Sequence, residues 1–439
     1  MKTDSLSEKP TSFSRGRGHM AFETVVGRFK EDLQKYGKDC AGYIGKHIVG
    51  TGEDAHLTTK VLVDLLRPHV ILISGKRGSG KSYSAAVILE EFCLLPEEYK
   101  SNLAFVVVDP MGIYWSMKYP NDAQAELLRK WELEPKAFKD VKVFVPEKQK
   151  EEYIQAEIPI DGMIKIALKE FTAEDLILSF GLRRTEEIAV ALEKCFNILT
   201  ERQKDFGFEE LIDIVKDERE TRKEAKDALV SLLTVANQWG LIGREGIKIE
   251  ELVKPGVVTI IDLSRMRSSE LRNLLTALVA RKIYFNRVLA RKEEEKVKIE
   301  GGEAKTKFPI TWIVLEEAHN FIPSDRDVAS SEPIKRIAKE GREPGIGLVA
   351  ITQMPNKVHQ DILSQTDLVI SFRLTSKDDL NALHAVYQVY MQEELEKLIN
   401  RLPRWPGSAI LLDDILEKIF TVSIRPRTSH HAGGTALIL

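Results

Sequence analysis

Cysteine is scarce and scattered: Cys40, Cys93 and Cys195 are the three in 439 residues. An odd number at wide spacing argues against a disulfide framework or a zinc ribbon, and it fits a reducing, cytoplasmic setting. No apolar run approaches the roughly 18 residues needed to span a bilayer, so membrane insertion is not expected. Residues 1–20 are polar, have no apolar core of the secretory type, and read as a disordered tail. Charge of one sign is also lacking, since 64 basic residues face 67 acidic ones for a net charge of −3. Bulk polycation binding to nucleic acid is thereby excluded. A local basic patch is not, because a ring can concentrate charge in its channel.

What is present is apolar material: 43% of residues are hydrophobic, alongside 30% charged. That composition supports a large core and excludes wholesale disorder. The length exceeds what one core usually organises, so several subdomains are expected.

Residues 21–66 read as a small N-terminal region. Within it, Phe22, Val25, Val26, Phe29 and Leu33 recur at helical spacing, which predicts a short amphipathic helix over 21–36. Residues 42–51 suggest a short strand and turn. His69–Ser74, Leu103–Val108 and Val141–Val145 are continuous apolar runs, the pattern of buried parallel strands, and place the first part of a core at 67–150. Residues 151–255 read as a helical insertion, with a helix start at Thr172 and amphipathic stretches continuing to Asn237. Residues 256–424 return to strands, at Val257–Asp262, Ile310–Leu315, Leu348–Thr352, Leu368–Phe372 and Ser408–Leu412. A long helix is expected over Ser269–Lys292, followed by a charged loop over Glu293–Lys307. Residues 425–439 are a C-terminal extension. Strand–helix alternation of this kind means an α/β fold around a mainly parallel sheet covered on both faces.

Gly75-Lys76-Arg77-Gly78-Ser79-Gly80-Lys81-Ser82 fits the P-loop pattern G-x-x-x-x-G-K-[ST], and it lies between an expected strand and an expected helix. The glycines let backbone N–H groups face phosphate oxygens, and the helix start adds its positive dipole end. Lys81 can reach the β- and γ-phosphates and Ser82 can ligate Mg²⁺, so ATP and Mg²⁺ are the expected cofactors. Tyr83 completes the nucleotide-binding stretch. Ile310–Leu315 is an apolar strand ending in Glu316 and Glu317. A P-loop enzyme needs one acid there for the Mg²⁺ shell and one carboxylate to orient the attacking water, roles that suit Glu316 and Glu317 in that order. A dipole-stabilised acid pair at a helix start would look the same. Gln353, after Leu348–Thr352, can sense the γ-phosphate or the water, or simply end a strand. Arg373 is a charge on an apolar strand, which a phosphate or a buried carboxylate would satisfy. The extra strand Leu103–Val108, between the two Walker segments, points to the additional-strand class of P-loop ATPases and away from nucleoside kinases.

Several segments together resemble the HerA family within the HerA/FtsK group of ring translocases. These are Leu315-Glu316-Glu317-Ala318-His319-Asn320-Phe321, the run Ala338–Leu348, Ile351-Thr352-Gln353-Met354-Pro355, Asp361-Ile362-Leu363-Ser364-Gln365, Phe372-Arg373-Leu374-Thr375 and Ile424–Gly434. The resemblance runs roughly from Gly42 to Gly434. It implies a RecA-like ATPase core, a homo-hexameric ring, and movement along double-stranded DNA without regard to sequence. It also implies an arginine finger that completes a neighbouring subunit's site, which falls on Arg342, 25 residues after Glu317 (342 − 317). The small β-barrel that usually opens such proteins is expected to be truncated or absent. Loops following strands would carry the DNA-phosphate contacts. Lys118, Arg265 and Arg267 suit that role, with Arg183 and Arg184 behind them, although solvated loops carry the same charges. The functional expectation is an ATP-driven DNA motor feeding a nuclease or other effector, in end processing or in defence against foreign DNA. A nucleotide-dependent scaffold ring and a conjugation- or secretion-type ATPase are the alternatives.

Overall fold

The computed structural model describes residues 23–50, 54–202, 205–304, 307–374, 377–384, 398–399 and 401–433. The expected tail at 1–20, Thr375 and residues 434–439 lie outside the described residues. In chain order the strands are β1 (Thr24–Val26), β2 (Ala41–Val49), β3 (His56–Asp64), β4 (Val70–Ser74) and β5 (Leu103–Asp109). There follow β6 (Val141–Pro146), β7 (Gly162–Ile164), β8 (Ile166–Ala167), β9 (Ile242–Gly243) and β10 (Val258–Asp262). The last are β11 (Ile310–Leu315), β12 (Ile346–Thr352), β13 (Leu368–Ser371), β14 (Ser408–Asp413) and β15 (Lys418–Ile424).

All but β8 and β9 join one sheet, in the order β1-β3-β2-β15-β14-β13-β4-β12-β11-β5-β10-β6-β7. From β13 to β7 every pairing is parallel. The chain fits that sheet because its strands are apolar on both faces. Along β5, Leu103, Phe105 and Val107 enter the core on the side of the Lys81–Leu94 helix. Ala104, Val106 and Val108 enter the other core, with the long helix and the insertion. Each fully buried large apolar side chain contributes about 1.5–3 kcal/mol of transfer free energy. Phe105 and Trp312 sit opposite each other on β5 and β11 and stack at 5.5 Å between centroids.

Four expectations are corrected. Residues 21–36 are not one helix: Val25 and Val26 lie in β1, paired with β3, and a helix runs only over Lys30–Tyr36. Valine is β-branched and pairs well on a sheet edge, and Gly27 turns the chain away at φ +82°. The charged stretch Glu293–Lys307 is not a loop as far as Glu300, because the helix runs from Ser269 to Glu300. Its charges stand at helical spacing, with Arg291–Glu295 and Lys296–Glu300 paired four residues apart. The strand that separates the P-loop strand from the Glu316 strand is β12, not Leu103–Val108, since β5 pairs on the far side of β11. Order along the chain does not set order across a sheet. Residues 151–255 are not all helix: β7 extends the main sheet, and β8 pairs with β9.

The helices of seven residues or more in that region are Ala173–Ser179, Glu187–Arg202, Phe208–Asp217 and Lys223–Asn237. Thr172 starts the first through a capping box: its hydroxyl accepts from the Asp175 amide, and the Asp175 carboxylate accepts from the Thr172 amide at 2.7 Å.

Candidate nucleotide site

β4 ends at Ser74 between β12 and β13, and all three point their carboxyl ends at one edge of the sheet. Such an edge is where parallel α/β sheets present their loops to ligands. The chain leaves Ser74 through Gly75. A Cβ there would stand 2.6 Å from Ser79 Oγ and 2.7 Å from Phe372 Cβ, so only glycine fits. Phe372 thus packs β13's end against the P-loop. The loop feeds the helix Lys81–Leu94, whose first N–H groups have no intrahelical acceptor and face outward as a phosphate cradle. Lys76, Arg77 and Gly78 are exposed on the loop.

Lys81 is buried, and its Nζ donates to the Lys76 carbonyl at 3.0 Å. Burial lowers its pKa, while Glu317 and Glu316 pull it back up. Ser79 Oγ is buried with no hydrogen-bond partner among the described residues. A phosphate oxygen on this loop would answer both groups.

Glu316 follows β11 and is 2% exposed. Ser82 Oγ donates to its Oε1 at 2.8 Å, and the Tyr114 hydroxyl donates to its Oε2 at 2.7 Å. Burial pushes Glu316 up to about 7 against those two hydrogen bonds. A hydroxyl and a carboxylate converging in this way make an all-oxygen donor pair of the kind Mg²⁺ takes beside substrate phosphates. The residues present therefore fit the metal.

Glu317 adopts φ +54°, ψ 51°, a left-handed conformation that is costly for a residue with a side chain. Its Oε2 is buried without a hydrogen-bond partner among the described residues. Burial raises its pKa and Lys81 opposes the rise. His319 Nδ1 stands 3.5 Å from that oxygen and 3.0 Å from Thr352 Oγ1 at the end of β12. Gln353, half-buried, is the next residue on that strand's end, beside the P-loop strand.

Other expected site residues are placed differently. The Tyr83 side chain is turned to the C-terminal segment. Its hydroxyl is 2.6 Å from the Arg427 amide nitrogen, and its ring meets His431 edge-on at 5.3 Å. What Tyr83 keeps for a phosphate is its backbone amide in the first helical turn. Arg373 donates to the Leu402 carbonyl at 2.7 Å, so a backbone oxygen is its partner rather than a phosphate or a carboxylate. Arg342 precedes β12 and so lies at the sheet edge opposite the P-loop, exposed, over the ring of Phe29. The Lys118 ammonium is paired with Asp161 at 2.5 Å. Arg265 and Arg267 are exposed after β10. Arg183 and Arg184 are paired with Glu186 and Glu174 on the insertion.

Sequence reasoning missed four groups at this edge. Tyr114 reaches Glu316 across 202 residues, a contact with no local signal. His319 lies inside a recognised motif, but nothing in the motif gives its bond to Thr352. Asp109, at the end of β5, accepts from the amides of Met111, Gly112, Ile113 and Tyr114 at 2.7–3.0 Å. Burial and the neighbouring Asp262 raise its pKa. Asp262, at the end of β10, accepts from the Tyr153 hydroxyl at 2.7 Å.

Residues 43–283 match the family model for the central domain of the helicase HerA. The chain is 26% identical over 339 residues to a DNA double-strand break repair helicase HerA of Sulfurisphaera tokodaii, covering 76% of this chain and 60% of that one. It is 30% identical over 207 residues to the protein of the same name from Sulfolobus acidocaldarius, covering 45% and 40%. A third, from Pyrococcus furiosus, is 29% identical over 160 residues, covering 33% of this chain and 28% of that one. The chain thus spans less than two thirds of the length of these relatives. Among solved structures, VirB4 of Thermoanaerobacter pseudethanolicus aligns with a TM-score of 0.53 at 13% identity, over 89% of this chain and 98% of that one. The bacterial conjugative coupling protein TrwBdeltaN70 aligns with a TM-score of 0.50 at 15% identity, over 90% and 96%. At these identities the likeness is one of fold: an α/β P-loop NTPase.

Proposed function

We propose that this chain, which belongs to the family of the HerA helicase central domain, is an ATP-hydrolysing motor that moves double-stranded DNA. The observation that carries the reading is the 2.8 Å contact between Ser82 Oγ and Glu316 Oε1, with Lys81 and Glu317 beside it. Two segments distant in sequence bring a cation, a hydroxyl and two acids together, which supports the handling of a γ-phosphate as in a P-loop NTPase.

In this reading the loop amides from Gly75 to Ser82 and the first-turn amide of Tyr83 hold the phosphates. Lys81 leaves the Lys76 carbonyl for the β- and γ-phosphate oxygens. Ser82 and Glu316 hold the Mg²⁺, which would neutralise charge developing on the phosphates. Glu317 orients the attacking water and accepts its proton, and its burial keeps the carboxylate basic enough to do so. Gln353 senses the γ-phosphate from the end of β12. Arg342, on the far edge of its own sheet, acts on the site of a neighbouring copy in a homo-hexameric ring. Arg373 is left with a supporting role at the end of β13.

DNA phosphates are contacted by Arg265 and Arg267, exposed at the carboxyl edge. Lys118 contributes only if Asp161 releases it. Contacts of this kind are indifferent to sequence. A nuclease or another effector receives the DNA, in end processing or in defence, within the cytoplasm.

The test is steady-state ATP hydrolysis with and without linear duplex DNA, beside Lys81→Ala. Stimulation by duplex that vanishes in the variant is the expected result. Turnover indifferent to DNA would replace the motor with a ring that gates a partner.

A further inference from the structure

Tyr114 is fully buried, and its hydroxyl ends on the same carboxylate that Ser82 holds. A buried phenol needs one acceptor, and any backbone carbonyl would serve. Here the acceptor is the acid of the metal site, at 2.7 Å, a charge-assisted bond whenever Glu316 is ionised.

The other end of Tyr114 belongs to the segment that leaves β5. The Asp109 carboxylate gathers the amides of Met111 and Gly112 on Oδ1 and those of Ile113 and Tyr114 on Oδ2. Residues 110–114 are therefore tied as one piece to the end of a central strand. From Tyr114 the chain makes a short 3₁₀ helix, Tyr114–Lys118, in which Lys118 pairs with Asp161 and the Met117 carbonyl accepts from the Phe138 amide at 3.1 Å. A Cβ at Gly112 would stand 2.5 Å from Ser264 Oγ, so this segment interlocks with the loop that carries Arg265 and Arg267. Ser116 Oγ lies 2.8 Å from the His430 carbonyl oxygen, and the His430 amide donates to the Tyr119 carbonyl at 2.8 Å. The segment thus touches the metal-site acid, the β10 loop, the C-terminal segment, and Phe138 and Asp161 on either side of β6, while Met111 and Tyr119 reach solvent.

From this geometry we propose that Tyr114 is the joint that transmits the state of the nucleotide site to the segment 110–119, which reaches solvent at Met111 and Tyr119. The proposal rests on Ser82 and Glu316 being the metal-holding pair. A metal held by Ser82 and Glu316 would enter on the Oε1 side, where the Ser82 hydroxyl now donates, and the carboxylate would shift to meet it. The phenol on Oε2 is its other tether, and it would move with the carboxylate. Because Asp109 binds Tyr114's own amide together with those of Met111–Ile113, a pull on the phenol is passed to these residues as one piece. Tyr114 is a positioning residue: it acts through Glu316 and does not touch the reacting atoms.

The test is hydrogen exchange of residues 110–119 in the full chain with ATPγS, comparing added Mg²⁺ with added EDTA, beside a direct measurement of ATPγS binding. In the wild type, Mg²⁺ should change exchange in this segment and EDTA should not. In Tyr114→Phe, which removes one hydroxyl, ATPγS should bind with Mg²⁺ while the change in 110–119 is lost. Its melting temperature checks that it is folded. An unchanged segment in the wild type, or an equal response in the variant, would overturn the proposal. Failure of Mg²⁺ to alter ATPγS binding at all would instead sink the reading of the site, and the binding measurement reports that separately. The wild-type comparison stands even if the variant does not fold.

Discussion

The guanidinium of Arg342 lies over the ring of Phe29, 5.1 Å from its centroid. Among the described residues it forms no ion pair, and such a contact at an exposed site contributes about 0.5–1 kcal/mol. Phe29 is firmly mounted: Arg28 is buried with Asp64, and the Gly27 amide donates to Asp413 at 2.7 Å. An arginine on this edge serves a phosphate only if the phosphate belongs to another copy. Arg342→Ala should therefore slow turnover by about 10³-fold or more and leave nucleotide affinity unchanged. Mixed in equal amounts with Lys81→Ala, it should regain measurable hydrolysis, because some interfaces then combine an intact Lys81 with an intact Arg342. A mixture as inactive as its parts would remove the shared site.

Glu317 combines a left-handed backbone with a buried carboxylate oxygen that has no hydrogen bond among the described residues. Both costs are explained if that oxygen accepts from a water. Glu317→Gln should lower kcat by about 10²–10⁴-fold while ATP still binds, as read by single-turnover hydrolysis against nucleotide binding. Turnover near the wild-type rate would assign the base elsewhere.

Burial holds Glu316 near 7, well above an ordinary carboxyl. Below that value the acid carries a proton, which must leave before a metal enters. The apparent Mg²⁺ affinity of the ATPγS complex should weaken as pH falls below about 7, approaching tenfold per pH unit. A metal titration at several pH values measures this, and a flat profile would mean that the carboxylate is ionised throughout. The same raised value makes the metal-free fold less stable as pH rises from the ordinary carboxyl range through about 7.

His69 sits at the opposite edge of the sheet, its side chain fully buried, with Nδ1 2.8 Å from Asp367 and Nε2 3.2 Å from Asp64. Burial disfavours its charge, but Asp367 and Asp64 outweigh burial and raise it to about 9. Because the folded value exceeds the ordinary one, this stabilisation is complete below about 6.5 and is lost as pH rises through about 9. It should amount to a few kcal/mol, seen as a melting temperature that falls across that window. His69→Gln should melt lower at neutral pH and lose most of that slope. An unchanged slope would assign it to other groups.

The central strands were legible because both their faces are buried, so each reads as an unbroken apolar run such as Val70–Ser74 or Leu103–Val108. The P-loop and the Glu316–Glu317 pair were legible because their chemistry needs fixed residue types at the end of a strand. The segment 21–36 was misread because the spacing of Val25, Val26, Phe29 and Leu33 fits a helix. What decides between helix and strand there is a partner strand, β3, that pairs Val25 with Leu62. The last turns of the helix, Glu293–Glu300, read as a loop because charge alone does not distinguish a solvated loop from a solvated helix face.

By itself the sequence determined the fold class, the phosphate loop and the acids that face it, because those depend on local pattern: apolar runs, a glycine spacing, a strand that ends in carboxylates. Only the tertiary structure decided what each group does with its neighbours. It put β12 between the two Walker strands, turned the Tyr83 side chain to the C-terminal segment, set Arg342 on Phe29 and tied Tyr114 to Glu316. Those outcomes depend on which distant strands pair and which buried polar atoms find each other. That choice is made by packing and hydrogen-bond satisfaction over the whole sheet, so it leaves no trace in any short stretch of chain.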